Sequence, residues 1–397
     1  MTAIHVPGFK AGAVKAGIRG KDRLDVGLIY SEVPATAAGV FTTSLVKAAP
    51  VLLGIKHLEG GKAQAIIVNS GIANACTGEE GMELALTTAS LVADYLDIDS
   101  SLVQVSSTGV IGMQLDIGIF ENCMGRLVDA LADDGLTDVS LAMMTTDTVP
   151  KTARRTLTID GKEIALVGLA KGSGMIMPNM ATMLSYVMTD ASVASDVLSA
   201  MLQKSVSQSF NAITVDGDTS TNDTVLLLAN GVAGNSQLTS LDSADAVLFQ
   251  QCLDSLLLDL ALQIVKDGEG ATKLITVHVT GARTIEDADR AARTIANSSL
   301  FKTACFGEDA NWGRIIAALG RSGAAFDAYD VRIAFDDVVM VEKGLGLSAE
   351  QEVLATAVLK KDAFVLSVDI GAGSSESKVH TCDLSIDYIK INADYRS

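Results

Sequence analysis

A threonine that directly follows an alanine is the residue of this chain best suited to covalent chemistry. Thr182 comes after Ala181 in the segment 171–185, which reads Lys-Gly-Ser-Gly-Met-Ile-Met-Pro-Asn-Met-Ala-Thr-Met-Leu-Ser. A cut between the two residues would place a free α-amine beside the hydroxyl, so one residue would hold both a nucleophile and a base. An α-amine has an ordinary pKa of about 7.7–8.0, which suits a base at neutral pH. In an uncut chain, Thr182 would be a hydroxyl that packs in a strand.

Histidine is scarce, which favours a base of another kind. The histidines are widely separated in the chain: His5, His57, His278 and His380. A Ser-His-Asp or Cys-His arrangement stays an alternative, because such residues converge only in space. No Gly-x-Ser-x-Gly elbow marks a serine nucleophile, however. The sequence therefore favours a threonine α-amine over a histidine triad.

Four further residues carry groups that a threonine nucleophile would need. Thr108 and Gly109 follow a predicted strand, and a hydroxyl beside a glycine N–H would suit an oxyanion hole. Lys171 could pair with a substrate carboxylate. Glu269, which lies between glycines in the segment 266–273, could face a substrate amine. Each of these residues also has an ordinary interpretation in a turn, so none identifies a site alone.

Two other motifs resemble ligand loops but lack essential residues. The run 216–223 begins like a calcium loop, yet Thr221 stands where such a loop needs glycine and Leu227 where it needs a bidentate glutamate. A turn-rich polar loop is the favoured interpretation. The segment that starts at Lys171 lacks the other residues of a phosphate loop, and no Gly-x-Gly-x-x-Gly follows a strand. The sequence predicts neither a metal nor a nucleotide cofactor.

Composition excludes several classes of partner. The 397 residues include 30 basic and 48 acidic side chains, a net charge of −18, and only one Trp, six Tyr and ten Phe. Binding to nucleic acid or to an anionic membrane depends on clustered Lys and Arg, so neither is expected. Small anionic substrates stay possible, since they need only one or two local cations.

Cysteine usage and hydropathy predict a cytoplasmic protein. The five cysteines are widely spaced and form no Cys-x-x-Cys pair, which is typical of a reducing compartment without disulfides or structural zinc. The first residues lack the basic and apolar regions of a signal peptide. The most apolar helical run, 256–265, is interrupted by Asp259 and Gln263, and we expect it to be too short to span a bilayer.

Apolar periodicity predicts a mixed α/β fold that positions these residues. A hairpin is predicted over 155–168 around Asp160-Gly161, and the strand at 104–107 is predicted to end in a turn at 107–112. The other predicted strands are 26–30, 38–42, 65–69, 212–215, 273–280, 331–334 and 364–368. The predicted helices are 81–96, 121–131, 195–209, 246–266, 286–297 and 311–319.

Motifs along nearly the whole chain resemble one enzyme family. These motifs are Phe41–Thr43, Ala48–Val51, Ser107–Gly112, Met144–Thr148, Lys171–Met175, Pro178–Leu184, Val215–Asp223, Lys266–Thr272, Phe306–Arg314 and Lys390–Tyr395. With them, the sequence resembles the ornithine acetyltransferases, also called glutamate N-acetyltransferases or the ArgJ family, of the cyclic pathway of arginine biosynthesis.

The resemblance implies a role for each motif residue. It implies self-cleavage between Ala181 and Thr182, with Thr182 as the nucleophile and Thr108 and Gly109 as the oxyanion hole. N-acetyl-L-ornithine would acetylate Thr182, ornithine would leave, and L-glutamate would then take the acetyl group in a ping-pong reaction. The implied substrate-binding residues are Thr148, Lys171, Thr182, Glu269, Asn392 and Ser397.

The resemblance also implies an architecture and an assembly. The expected fold is α/β (α+β), a DmpA/ArgJ-like layered sandwich with sheets packed between helices. An αββα-type main domain would cover 1–275, and a smaller α+β domain 276–397. Cleavage would give an α chain, 1–181, and a β chain, 182–397, which the family suggests assemble as two α and two β chains. No cofactor is expected, although acetyl-CoA could serve as a second acetyl donor.

Two alternatives and three departures from the family pattern accompany this prediction. An amidase or aminopeptidase of the same fold would let water attack the acyl-threonine, and an uncleaved homologue would only bind metabolites. Ile72 stands where the family usually has asparagine, Ser44-Leu45 replaces the more usual Asn-Arg, and Ala310 replaces a common proline. None of these departures touches the nucleophile, but Ile72 and Ser44 could alter substrate preference.

Overall fold

A computed structural model of the protein describes residues 4–20, 22–177 and 183–393. These residues form two compact units. The first unit runs through Met175 and takes in residues 183–211 and 218–264; the second takes in 176–177, 212–217 and 265–393. Ala181, Thr182 and Ser397, which the sequence singled out, lie outside the described residues.

Helices and strands alternate along the chain in a mixed α/β pattern. The strands are β1 (Phe9–Val14), β2 (Val26–Phe41), β3 (Lys62–Ile72), β4 (Val103–Val110), β5 (Lys151–Ile159), β6 (Lys162–Lys171), β7 (Leu184–Thr189), β8 (Ile213–Thr214), β9 (Thr224–Ala229), β10 (Leu274–Ala282), β11 (Arg332–Phe335), β12 (Val338–Glu342), β13 (Leu345–Gly346), β14 (Ala363–Asp369) and β15 (Ser375–Cys382).

The helices lie between these strands. They are α1 (Ala49–His57), α2 (Gly78–Leu96), α3 (Ile117–Asp129), α4 (Leu136–Ala142), α5 (Ser195–Gln208), α6 (Ala244–Lys266), α7 (Ile285–Ala296), α8 (Ser299–Phe306), α9 (Trp312–Gly320), α10 (Ala349–Leu359) and α11 (Ile386–Ala393). The mixed α/β fold class predicted from the sequence is confirmed.

The first unit is built on one sheet of the order β4-β3-β2-β9-β7-β6-β5, with β1 paired to β2. Its central strands are apolar on both faces: Leu28 and Ile67 face a core shared with α2 and α3, whereas Ile29 and Ile66 face a second core shared with α4. A sheet covered on both sides requires strands that are apolar throughout rather than alternating. This explains the fully buried runs of β7 and β9.

The hairpin predicted at 155–168 is confirmed and is longer than expected. β5 pairs with β6 from Lys151↔Ala170 to Ile159↔Lys162. Asp160 and Gly161 both have positive φ, 52° and 71°, as a two-residue hairpin turn of this twist requires. β6 then pairs with β7, and β7 runs parallel to β9.

Two strand predictions of the first unit are corrected. The segments predicted as strands 26–30 and 38–42 belong to the single long strand β2, whose pairing with β3 shifts register between Tyr30 and Ala35. The turn predicted from Ser107 is also wrong, because β4 continues to Val110 in a parallel ladder with β3. Gly109 was interpreted as a turn residue, but it lies within that ladder.

The second unit contains a sheet of the order β13-β12-β11-β14-β10-β15-β8. Its central strand β10 runs parallel to β14 and antiparallel to β15. Val277 and Val279 of β10 lie in one buried cluster with Ala291 and Ile295 of α7. The strand predicted at 212–215 is shorter than expected, since only Ile213–Thr214 pair with β15.

The longest helix, α6, contains the apolar run 256–265. α6 has 23 residues and, by length and composition, is the one helix of the described residues that would be able to cross a membrane. From the sequence, only the apolar run 256–265 within α6 was considered, and it was predicted to be too short to span a bilayer. Phe249, Leu253, Leu256 and Leu260 are fully buried at helical spacing, and burial along one stripe is the pattern of a core helix.

Candidate active site

In the first unit, strand ends bring the predicted nucleophile-assisting residues together. Lys171 is the last residue of β6 and pairs with Leu184, the first residue of β7. Lys151 opens β5 at the same end of the hairpin. Thr108 lies near the end of β4, paired with Ser70. The start of β7 follows Thr182 by two residues in the chain, so Lys171 pairs with a strand that begins close in sequence to the predicted nucleophile.

Lys171 is a buried cation in contact with the predicted oxyanion residue. Its side chain is 2% exposed, and its Nζ donates hydrogen bonds to Thr108 Oγ1 at 3.3 Å and to Thr145 Oγ1 at 2.8 Å. A threonine hydroxyl that accepts from an ammonium still has its own O–H to donate elsewhere. Thr108 is therefore a hydroxyl donor polarised by Lys171, as an oxyanion hole would require.

Asp147 neutralises part of the buried positive charge. Its carboxylate lies 2.6 Å from Lys151 Nζ and 4.0 Å from Lys171 Nζ, and the Asp147 and Lys151 side chains are fully buried. It also accepts the backbone N–H groups of Gly172 at 2.7 Å and Thr145 at 2.9 Å. Burial alone would raise the pKa of this carboxyl, but the two lysines and these hydrogen bonds hold it well below its usual range.

The Lys171 ammonium group of this cluster suits an anionic ligand. Two ammonium groups, Lys151 and Lys171, share the carboxylate of Asp147. A substrate carboxylate that arrived near Lys171 would accept a charge-assisted hydrogen bond from its ammonium group.

Position 109 requires glycine, because the backbone of β3 lies very close to it. Gly109 has a φ of 135°, and a Cβ at this position would lie 2.2 Å from the carbonyl carbon of Gly71. No larger residue fits there without a shift of the backbone. The sequence singled out the right glycine, although it lies in a strand rather than in a turn.

The residue after the predicted nucleophile is held by a buried acid. Met183 donates its backbone N–H to Oδ1 of Asp223 at 3.0 Å, and its carbonyl accepts the N–H of Thr224 at 3.1 Å. Asp223 is fully buried. Burial raises the pKa of this carboxyl well above its usual range, although the Met183 hydrogen bond and the charge of Lys171 oppose that shift.

The loop that was compared with a calcium site is hydrogen-bonded to β4 and to the residues that directly follow β3 and β2. Asn222 Nδ2 donates to the carbonyls of Ala73 at 2.7 Å and Ser107 at 2.8 Å, and Thr42 Oγ1 donates to the carbonyl of Ser220 at 2.8 Å. These bonds fit the turn-rich polar loop that the sequence favoured. Among the described residues, no three His, Cys, Asp or Glu side chains are grouped as a metal site needs.

In the second unit, two predicted substrate-binding residues contact each other. Asn392 Nδ2 of α11 donates to Glu269 Oε2 at 2.7 Å, and Glu269 is 7% exposed. Gly270 has a φ of 68°, and a Cβ there would lie 2.6 Å from the backbone N of Tyr388. This glycine therefore lets the Glu269 loop approach α11.

Of the remaining predicted site residues, only Thr148 lies in the described part of the chain. Thr148 is exposed and follows the buried Asp147 in the chain. Ala181, Thr182 and Ser397 lie outside the described residues. Sequence reasoning missed Asp147, Lys151 and Asp223 as site residues, because an acidic or basic side chain in a polar segment gives no sign of burial. Asp147 and Asp223 did stand inside motifs that carried the resemblance.

The chain matches one protein family along nearly its whole length. The model of the ArgJ family matches residues 10–397. The arginine biosynthesis bifunctional protein ArgJ of Desulfotalea psychrophila is 55% identical over 394 residues, which cover 99% of this chain and 100% of the relative. The protein of the same name from Geobacter sulfurreducens is 50% identical with the same coverage.

A solved structure matches about half of the chain. The crystal structure of arginine biosynthesis bifunctional protein ArgJ from Bacillus halodurans is 44% identical, with a TM-score of 0.51. The match covers 97% of that solved chain but 52% of this one. The solved chain is therefore about half as long as the chain described above.

Proposed function

The chain belongs to the ArgJ family, and from this premise we propose how it acts as an acetyltransferase of arginine biosynthesis. The protein cleaves itself between Ala181 and Thr182 and then moves the acetyl group of N-acetyl-L-ornithine to L-glutamate. The observation that carries this proposal is the hydrogen bond from Lys171 Nζ to Thr108 Oγ1 at 3.3 Å. Lys171 ends β6, which pairs with β7, the strand that begins two residues after Thr182.

Self-cleavage prepares the nucleophile. The Thr182 hydroxyl attacks the carbonyl carbon of Ala181, the C–N bond breaks, and the amine leaves with a proton, so that Ala181 is held as an ester. Water then hydrolyses the ester and regenerates the hydroxyl beside a free α-amine. The half-length chain of the Bacillus halodurans relative supports a cut of this kind, since cleavage near the middle would give chains of that size.

Acetyl transfer reuses the same groups. The Thr182 amine accepts the hydroxyl proton as the oxygen attacks the acetyl carbonyl of N-acetyl-L-ornithine. The Thr108 hydroxyl and the Gly109 N–H stabilise the developing oxyanion, and ornithine leaves with the proton. The α-amine of L-glutamate then attacks the acetyl-threonine through a second tetrahedral intermediate at the same donors. The C–O bond to Thr182 breaks, N-acetyl-L-glutamate leaves, and the Thr182 oxygen takes up the proton that the glutamate amine loses by way of the Thr182 amine.

The charged residues would bind and orient the substrates. Both the donor and the acceptor have an α-carboxylate, which suits the ammonium group of Lys171. Glu269, held by Asn392, suits the side-chain ammonium of N-acetyl-L-ornithine. Thr148, Thr182 and Ser397 complete the proposed substrate-binding set.

We further propose that acetyl-CoA is a second acetyl donor, that the active assembly contains two α and two β chains, and that the enzyme works in the cytoplasm. The term bifunctional in the names of both relatives supports a second activity. The free state of all five cysteines supports a reducing compartment. No resident cofactor is required by the chemistry proposed for Thr182.

Substrate omission tests the reaction. Purified protein is supplied with N-acetyl-L-ornithine in the presence and absence of L-glutamate, and ornithine and N-acetylglutamate are measured. We expect sustained ornithine release only with glutamate, matched by N-acetylglutamate. Equal release in both conditions would instead identify an amidase, in which water attacks the acyl-threonine.

A further inference from the structure

Just before β7, where its pairing with β9 ends, a side chain holds the backbone. β7 pairs with β9 from Leu184↔Thr224 onward. One residue earlier, Met183 accepts the N–H of Thr224 at 3.1 Å, but its own N–H is taken by the side chain of Asp223 at 3.0 Å. Both backbone groups of Met183 are thus fixed by two consecutive residues of one neighbouring segment.

Asp223 is itself rigidly placed. Its carbonyl accepts the N–H of Thr42 at 3.0 Å, and Thr42 Oγ1 donates to Ser220 at 2.8 Å. The side chain is fully buried. Its second oxygen, Oδ2, has no hydrogen-bond partner among the described residues. Burial raises the pKa of this carboxyl well above its usual range, although the Met183 amide, the charge of Lys171 and the hydroxyls of Ser220 and Thr42 oppose that shift.

Met183 is joined covalently to Thr182, which gives this contact a functional meaning. Before cleavage, Thr182 has a neighbour on each side. After cleavage, the proposed nucleophile is a chain end, and Met183 is its only covalent attachment. Chain ends fray unless they are tied down, and a displacement of about 1 Å at a reacting group can cost about 100-fold in rate.

We propose that Asp223 is a positioning residue for the nucleophile, acting through the Met183 amide and needed most once Thr182 has become a chain end. The proposal rests on the function proposed above, which makes Thr182 the reacting residue. Its Oδ1 accepts the Met183 N–H, a hydrogen bond that the amide oxygen of an asparagine at this position would also accept.

Three variants test this role. Asp223→Ala removes the acceptor. Asp223→Asn keeps an acceptor oxygen for the Met183 N–H and places a neutral NH₂ group in the position of Oδ2. Asp190→Ala is the matched control: Asp190 is buried, it accepts the N–H of Ala165 at 2.8 Å, and it follows the opposite end of β7.

The measurements are the intact mass over time, the kcat and KM of acetyl transfer, the melting temperature, and hydrogen exchange at the Met183 amide. We expect Asp223→Ala to lower kcat by about 100-fold with a smaller change in KM, and to remove protection of the Met183 amide. Asp223→Asn should restore most of the lost kcat. Asp190→Ala should lower the melting temperature while kcat and Met183 protection stay near wild type.

Several results would overturn the proposal. Unchanged Met183 protection in Asp223→Ala would show that the contact does not hold the strand, whatever the enzyme catalyses. An equal loss of kcat in Asp190→Ala would show that Asp223→Ala lowers kcat only because it destabilises the protein. If Asp223→Asn did not restore kcat, the protein would need an ionised carboxylate at this position, and an acceptor for the Met183 amide would not be its role. A wild-type protein that releases ornithine without glutamate would contradict the proposed reaction instead, while the exchange measurement would still decide the role of Asp223.

Discussion

Lys171 and Thr108 are joined by a hydrogen bond of 3.3 Å although 63 positions separate them in the chain. Both side chains are buried, so the fold holds a cation against a hydroxyl in a place that water reaches poorly. Electrostatic interactions are stronger in such surroundings than in bulk water. The contact therefore couples two proposed roles, the binding of a substrate carboxylate and the stabilisation of an oxyanion.

Replacement of Lys171 tests the first of these roles. Lys171→Met should raise KM for both N-acetyl-L-ornithine and L-glutamate by about 10- to 100-fold, because a hydrogen bond to a charged group contributes about 1.5–3 kcal/mol. Steady-state kinetics with each substrate varied in turn would measure it. The matched control is Lys302→Met, which removes another buried lysine, bonded to Thr381 at 2.8 Å. A KM increase for only one substrate would contradict a shared carboxylate site.

Removal of the Asp147 charge should destabilise the first unit. Asp147→Asn leaves Lys151 and Lys171 buried without their shared carboxylate, and breaking a buried pair costs about 3–5 kcal/mol. Urea unfolding would show a lower midpoint. The control is Glu342→Gln, which breaks the half-exposed pair between Arg332 and Glu342 and should change the midpoint little. Similar midpoints for the two variants would refute the importance of the buried cluster.

A methyl group at position 109 should not be tolerated. Gly109→Ala adds a Cβ that would lie 2.2 Å from the Gly71 backbone, at a φ of 135°, and such strain costs about 1–3 kcal/mol or more. We expect a lower melting temperature and slower self-cleavage. Gly60→Ala is the control, because nothing lies within 4 Å of a Cβ at that position. A Gly109→Ala protein as stable as Gly60→Ala would disprove the close approach.

The buried acid Asp223 should give stability a defined pH dependence. Its pKa is raised in the folded state, so the folded protein holds a proton that the unfolded chain releases above the ordinary pKa of about 3.9. Stability from this group is full below that pH and is lost as pH rises towards the raised pKa, by up to about 1.4 kcal/mol per pH unit. Asp223→Asn has no such proton. The stability of this variant relative to wild type should therefore increase with pH in urea titrations; a constant difference would contradict a neutral Asp223.

The sequence revealed local features of the fold more readily than distant ones. The hairpin around Asp160 and Gly161 was predictable because its turn depends on the backbone preferences of these two residues. Long helices such as α6 were predictable from apolar spacing. β4 was predicted to end too early because Gly109 is typical of a turn, whereas in the fold its missing side chain allows a neighbouring strand to approach.

The sequence predicted those parts of the site whose chemistry is visible in a short segment. The chemistry of Thr182 singled out its segment, whereas Lys171 alone had an ordinary interpretation in a turn. The family membership that the motifs along the chain implied is confirmed. The buried acids Asp147 and Asp223 were not recognised, because their importance arises from packing against strands far away in sequence. The roles of Thr108, Gly109, Thr148, Lys171, Glu269, Asn392, Thr182 and Ser397 stay predictions.

The central claim is that Thr182, freed by self-cleavage, carries the acetyl group. The most direct measurement is the intact mass of the purified protein after incubation with N-acetyl-L-ornithine alone, beside Thr182→Ala and Thr182→Ser. We predict two chains for the wild type, with one acetyl group on the chain 182–397 that leaves as N-acetylglutamate when glutamate is added. Thr182→Ser should cleave more slowly, and Thr182→Ala should stay whole and unacetylated. A wild-type protein that persists as a single unacetylated species of 41.2 kDa, or an Ala variant that turns over, would contradict the account.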